Sequence, residues 1–426
     1  MADDPLKQSQ LSMNLDNWLC RIRQLHDKDI DMGLERITVV ADAMGLRRLN
    51  SQVILIAGTN GKGTTSRFLE AYLRSLGLTV GVFNSPALFD HTEMVRINGR
   101  CLDAKLHIDA FEQIWQGRGE VILTEFEFST LAALYLFSQN DLDYVLLEVG
   151  MGGRNDSTNV VVPDLSVITT IAIDHQGFLG DTREAIGYQK AGIFRPHQTA
   201  VVGDLDIPTT VLEYANVLQS PLICAKRDYS YQQSADTWCW HNDERCFDGL
   251  SLPKIPLQNV ATAIACLHQL QLPLSVEGLN EVISRVQVEG RFECLSTSPW
   301  LIVDVAHNVE AAQLLRQQVL ELAVKGPIYV VLGMLKDKDI AGVLGQFEGL
   351  ISRWYVCPLE TPRAAPVQLI GATLEKLSIG PHCHCNSVSE AIELACEQLP
   401  AEGLLLVFGS FFTVAEAKMA LLKLKS

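Results

Sequence analysis

The 426-residue chain is 48% hydrophobic and 20% charged, which excludes a disordered protein and leaves room for roughly two to three domains with buried cores. Its formal net charge of −16 argues against a nucleic-acid or anionic-membrane surface. No apolar run approaches the ~18 residues of a membrane span, Met1 to Gln10 lacks the apolar core of a signal peptide, and the eleven cysteines suggest no disulfide framework. A cytoplasmic protein with reduced thiols is the expectation.

Leu15, Trp18, Leu19, Ile22 and Leu25 share one face of a predicted helix over 14–25. Asp29 and Asp31 follow, residue types that can do no more than start the next helix, which runs through Val39, Val40 and Met44. Val53 to Ala57 is an apolar, β-branched run and reads as a buried parallel strand. It empties into Gly58-Thr-Asn-Gly-Lys-Gly-Thr64, after which Arg67, Phe68, Leu69 and Leu73 take up a helical period. Thr79 to Asn84 is the next strand, and in a doubly wound sheet its end would place Ser85 over a nucleotide. Glu93 and Arg96 fall in a polar loop. Thr124 to Ser129 leads into a helix bearing Leu131, Leu134 and Phe137, and Tyr144 to Val149 is a strongly apolar strand with one carboxylate, Glu148, near its end.

Gly150 to Asn159 is a polar loop, and Asp164 to Ile173 reads as a further strand ending in Asp174-His175. Glu184 to Ile193 is helical and carries Lys190, which by residue type faces solvent. Asp228 to Gly249 reads as a β-hairpin or excursion, and Leu257 to Leu270 as a helix with Asn259 near its start. From Trp300 the alternation restarts: strands over 301–306, 328–333, 354–358 and 404–410, with helices from Val309, near Ile340 and from Val414. The boundary between the two α/β regions falls at about residue 288 to 300, giving domains 1–294 and 295–426. His382-Cys-His-Cys385 is one compact run without the second ligand pair that zinc usually needs, so an ordinary strand or loop is expected there.

Strand, glycine-rich turn and helix start together make an anion cradle, in which backbone N–H groups and the helix dipole face phosphates. Lys62 would reach the outer phosphates and the Thr64 hydroxyl a phosphate or Mg²⁺, although Gly63 departs from the usual spacing. A glycine turn without ligand is the alternative. A carboxylate such as Glu148 inside an apolar strand is costly unless it is paired or holds a cation. It is therefore either a ligand of nucleotide-bound Mg²⁺ or a salt-bridged structural acid.

Eight stretches occur in an order that resembles one family: Ala57 to Thr64, Asn84-Ser-Pro86, Leu147 to Arg154, Asp174-His175, Lys190-Ala-Gly192, Gly290-Arg-Phe292, Asp304 to Asn308 and Gly333 to Lys338. They are similar to the folylpolyglutamate synthases, in particular the bifunctional dihydrofolate synthase/folylpolyglutamate synthases. These are ADP-forming amide ligases related to the Mur ligases. The resemblance implies an α/β fold, with a P-loop-containing, mostly parallel-sheet ATPase domain followed by a smaller Rossmann-like domain. It implies transfer of L-glutamate to dihydropteroate and to tetrahydrofolate through an acyl phosphate. A monofunctional folylpolyglutamate synthase, a Mur-type peptide ligase and a non-catalytic nucleotide switch are the alternatives.

By the same resemblance, Thr59, Asn60, Gly61, Lys62, Gly63, Thr64, Asn259, Arg291 and Asp304 hold ATP, and Ser85, Glu148 and His175 serve two Mg²⁺ sites, with a monovalent cation as a further candidate. Lys190 would be carbamylated and, with Lys62 and His175, catalytic. The pterin side would be lined by Asp29, Ile30, Asp31 and Met32, by Thr124, Glu125, Phe126 and Glu127, and by Asn155, Asp156 and Ser157. Ala87 and Asn155 depart from the family's usual His and Leu, which bears on pterin preference. The expected partners are small molecules alone (ATP, L-glutamate, dihydropteroate and reduced folates), with no nucleic acid or membrane, and the expected state is a monomer.

Overall fold

The computed structural model describes residues 14–425; the polar stretch 1–10 lies outside the described residues. The chain forms two compact units, one from Glu184–Ser284 and everything described up to Ile171, the other from Ala172–Arg183 and from Arg285 onward.

The first unit is built on an eight-stranded sheet. Its strands are β1 (Gln52–Ala57), β2 (Val80–Phe83), β3 (Val95–Ile97), β4 (Arg100–Cys101), β5 (Tyr144–Glu148), β6 (Leu165–Ile168), β7 (Ala200–Val202) and β8 (Leu222–Cys224). They are ordered β4-β3-β2-β5-β1-β6-β7-β8, parallel from β2 to β8, with β3 and β4 antiparallel at one edge. The parallel centre is covered on both faces, so β5, β6 and β7 are buried throughout and β1 from Val53 onward. Register places Ile56 of β1 opposite Glu148 of β5, which brings the acid beside the turn that follows β1.

The strand expected over 164–173 is shorter: β6 ends at Ile168. Beyond it the backbone leaves the ladder because its groups bond elsewhere. Thr170 O accepts from Thr59 N at 2.8 Å, and Ile171 N donates to Asp204 at 2.6 Å. His175 consequently lies seven residues past the strand end, at φ +51°. The expected hairpin near 228–249 is a three-stranded antiparallel sheet, β9 (Tyr229–Gln233), β10 (Thr237–Asn242) and β11 (Cys246–Ser251). It packs Trp238, Trp240, Phe247 and Leu250 inward, and the Trp240 indole donates to Ala261 O of helix Leu257–Gln269 at 3.1 Å.

The second unit carries a six-stranded sheet of β12 (Glu293–Thr297), β13 (Trp300–Asp304), β14 (Ile328–Leu332), β15 (Arg353–Val356), β16 (His382–His384) and β17 (Leu404–Phe408), ordered β12-β13-β17-β14-β15-β16. Only β12 is antiparallel to its neighbour. Phe347, Trp354 and Phe408 anchor its core. Arg96, expected in a loop, is on β3, and the last helix, Phe411–Lys425, starts three residues before Val414. The His382–Cys385 run supplies edge strand β16, and among the described residues no group of three His, Cys, Asp or Glu is arranged to hold a metal.

Candidate active site

Two glycines shape the turn after β1. A Cβ on Gly58 (φ +157°) would lie 1.8 Å from the Thr169 hydroxyl, and one on Gly61 (φ +86°) 2.4 Å from Asn259 Oδ1. Gly61 caps helix Lys62–Ser75 in the left-handed conformation, so the first N–H groups of that helix open into the turn. Asn60 is held from the side by β6's continuation: its N–H donates to Thr170 Oγ1 (3.1 Å) and its carbonyl accepts from Thr169 Oγ1 (2.6 Å). Lys62 folds back over the turn, its Nζ 3.0 Å from Gly58 O and 3.3 Å from Thr59 O.

The Thr64 hydroxyl, expected to face a phosphate or Mg²⁺, is instead buried. It donates to Gly61 O at 3.0 Å and accepts from Asn259 Nδ2 at 2.7 Å. Asn259 thus fastens helix Leu257–Gln269 to the turn. Gly63 has a consequence its spacing alone does not disclose, since its Cβ position lies 3.5 Å from Glu148 Oε2. The helix start and that carboxylate therefore lie side by side, at ordinary contact distance. Glu148 is only 6% exposed, and its Oε2 accepts from Asn84 Nδ2 at 2.8 Å. Ser85 comes directly after Asn84, beyond the end of β2.

Lys190, expected at the surface by its type, is 3% exposed. The polar loop after β5 covers the end of its helix, Arg183–Ala191. Arg154 N donates to Gln189 O at 2.8 Å, and Asn159 Nδ2 bridges Arg154 O and Gly192 O at 3.1 Å each. The Arg154 guanidinium lies 4.0 Å from the ring centre of Tyr188 and 4.4 Å from that of Tyr214.

The three segments expected on the pterin side do come together. Arg36 bridges Asp31 (2.6 Å) and Glu127 (3.2 Å), and Gly33 N donates to Asn155 O at 3.1 Å. Asp29 and Asn155 are exposed, and Ile30, Met32, Glu125 and Phe126 partly so. Thr124 and Glu127 form a capping box at the start of helix Glu125–Ser138, and Glu125 pairs with Arg23 at 2.8 Å. Asp156 is buried and accepts from Met151 N, Thr158 N and Thr158 Oγ1. Burial pushes its carboxyl up against those hydrogen bonds. Ser157 is buried beside it. Glu127 and Asp156 therefore shape the wall from within.

In the second unit, Asp304 ends β13 with both carboxylate oxygens occupied, by Phe292 N at 2.6 Å and Ala306 N at 2.7 Å. Burial raises its pKa, opposed by the Arg291 charge and these N–H groups. The Arg291 guanidinium lies 5.5 Å from the Phe411 ring centre. His175 belongs to a cluster whose members share no role in the sequence reading. Asp174 pairs with Lys338 (2.6 Å) and His307 (3.5 Å) and accepts from Asn308 Nδ2 (3.2 Å), while Lys338 Nζ is 3.4 Å from His175 Nε2. Burial alone would raise the Asp174 carboxyl, but the His307 hydrogen bond and the charges of His175, Lys338 and His307 outweigh it and hold it far below the carboxylate range. The only sequence signal for this cluster was that its members fall within motifs quoted for the resemblance.

Residues 56–243 match the model of the Mur ligase middle domain, and residues 290–411 that of the Mur ligase, glutamate ligase domain. The chain is 41% identical over 408 residues to the dihydrofolate synthase/folylpolyglutamate synthase of Escherichia coli (strain K12), covering 95% of each. It resembles the structure of E. coli FolC in complex with DHPP and ADP at a TM-score of 0.93 and 40% identity, covering 97% of this chain and 99% of that one. A bifunctional folylpolyglutamate synthase/dihydrofolate synthase structure with Mn, AMPPNP and L-glutamate bound matches at a TM-score of 0.91 and 42% identity, over 96% of this chain and 98% of the other. The relative and both structures match across both units, and the chain belongs to the dihydrofolate synthase/folylpolyglutamate synthase family of the Mur ligases.

Proposed function

We propose that the chain is an ATP-dependent amide ligase that joins L-glutamate to dihydropteroate and adds further glutamates to tetrahydrofolate, releasing ADP and phosphate. The observation that carries this is the buried Glu148 carboxylate facing a glycine turn whose Lys62 amine lies over it, in a chain alignable end to end with such ligases.

A carboxylate resists attack by an amine because oxide is a hopeless leaving group. Moving the γ-phosphoryl group of ATP onto the carboxylate oxygen makes an acyl phosphate. The glutamate α-amine then attacks the carbonyl carbon, the C–O bond to phosphate breaks, and the amine loses a proton. Lys62 and the N–H groups at the start of helix Lys62–Ser75 hold the phosphates and offset their charge. Asn259 keeps the turn in that shape through Thr64. By the family resemblance Arg291 and Asp304 are further nucleotide-binding residues, and the Asp29–Met32, Thr124–Glu127 and Asn155–Ser157 segments receive the pterin. Closure around the acyl phosphate would exclude water from it.

ATP and a divalent metal are the cofactors, Mg²⁺ at two sites in our reading, with a monovalent cation as a further candidate. Bound Mg²⁺ would neutralise the β- and γ-phosphates. The first-unit donors fit it, since Ser85 and Glu148 supply a hydroxyl and a carboxylate and Glu148 already faces the turn; the imidazole of His175 is a further donor that the resemblance implies. Carbamylation would convert the buried Lys190 amine into a further carboxylate, a donor whose charge a divalent cation would compensate. We read the protein as a cytoplasmic monomer acting on small molecules alone.

Ala87 and Asn155 favour a second reading, a folylpolyglutamate synthase without the dihydropteroate activity. Glutamate-dependent ADP release with dihydropteroate and tetrahydrofolate, measured in parallel, separates the two. Release with both substrates is expected, release with tetrahydrofolate alone establishes the second reading, and release with neither refutes both.

A further inference from the structure

A carboxylate is fully buried in helix Lys62–Ser75, where nothing in the mechanism above uses it. Glu70 is 0% exposed at its side chain, and its Oε2 accepts from Arg67 Nη1 at 2.7 Å and Arg96 Nη2 at 3.3 Å. Taking a charge out of water in a helix with exposed positions to spare is unfavourable even when paired, so an unneeded acid would be expected at the surface. From Arg96 the contacts run onward: Nη2 donates to Asn84 Oδ1 at 2.7 Å, and Asn84 Nδ2 donates to Glu148 Oε2 at 2.8 Å. The order of donors and acceptors admits one orientation. A guanidinium only donates, so Asn84 must turn its carbonyl to Arg96 and its NH₂ to Glu148; flipped, it would set oxygen against carboxylate. Arg96 lies on β3, opposite Val82 of β2, and Glu70 fixes its guanidinium from the helix side.

We propose that Asn84, Arg96 and Glu70 are positioning residues that aim the Glu148 carboxylate at the glycine turn and thereby set its affinity for the divalent cation. This rests on the reading of Glu148 as a metal ligand. Asn84 holds Oε2 from the side of β2, which fixes the plane of the carboxylate beside Gly63, whose Cβ position lies 3.5 Å from Oε2 and 3.9 Å from Oε1. Glu70 and Arg67 keep the Arg96 fork from swinging out to solvent. Partners of this kind behind a ligand tune affinity by about 10- to 100-fold.

Mn²⁺ titration followed by electron paramagnetic resonance, with AMPPNP present, reads this directly. Asn84→Leu keeps the size and removes both hydrogen bonds; Asn84→Ala is the substitute if that variant does not fold. Glu148→Gln is the control. We expect Mn²⁺ affinity to fall by about tenfold in the Asn84 variant, by less in Arg96→Lys, which keeps a donor and the charge, and most in Glu148→Gln. The Mg²⁺ concentration for half-maximal turnover should rise by the same factors with the KM for glutamate unchanged. An Asn84 variant with a lowered Tm and Mn²⁺ affinity within twofold of the parent overturns the positioning role while leaving Glu148 a ligand. Unchanged affinity in Glu148→Gln overturns both.

Discussion

His91 and His107 lie with ring centres 5.6 Å apart and with Phe111 against His91. His107 Nε2 is buried without a hydrogen-bond partner. Burial pushes both pKa values down to about 4, opposed by the Asp90 charge and, at His107, aided by the His91 charge. In the unfolded chain they would titrate near 6.5, so between that value and about 4 the unfolded state binds more protons than the folded one. Stability should therefore fall as pH drops through this window, by on the order of 1–3 kcal/mol per histidine. His107→Phe should flatten that limb in urea unfolding at pH 7, 6 and 5, and a pH dependence identical to the parent would show that the pair does not govern it. Lys190→Ala should nearly abolish turnover and regain part of it with a short carboxylic acid added; full activity without addition would remove the carbamate from the account. The burial of Lys190 was not legible in the sequence, because the end of its helix is bonded by Arg154 and Asn159, over thirty residues earlier. Asp174 poses the same difficulty, with partners at 307, 308 and 338.

At the scale of elements, the central parallel strands were readable because both their faces are buried and their composition is nearly all apolar. The pieces that escaped are short, polar or at edges. β4 is two exposed residues and β12 is half exposed, so neither carries a hydrophobic pattern. The error over 164–173 has a different source: Ile171 and Ile173 extend an apolar run, yet the chain leaves the sheet at Thr169 to brace the glycine turn. That bracing makes the turn intolerant of side chains. Gly61→Ala would combine a left-handed residue with a contact to Asn259 that must shift, and should cost about 1–3 kcal/mol. Its thermal midpoint should drop, and its affinity for AMPPNP should drop further than stability alone explains. An unchanged affinity would show that the turn does not hold the nucleotide.

For the whole molecule, a −16 chain that takes ATP must concentrate positive charge locally. Lys62, with the N–H groups at the start of its helix, places such charge at the glycine turn. The fold class was legible end to end, since alternating strands and helices recur on both sides of residue 290. The return of Ala172–Arg183 to the second unit was not, because it depends on which partners Asp174 finds. The central claim is that a carboxylate is activated by phosphorylation before the amine attacks. Dihydropteroate labelled with ¹⁸O in both carboxylate oxygens tests it, because the C–O bond that breaks leaves one of those oxygens on phosphate. Mass spectrometry of the inorganic phosphate should find one ¹⁸O per phosphate released in glutamate-dependent turnover; unlabelled phosphate from a reaction that forms the amide would contradict the account.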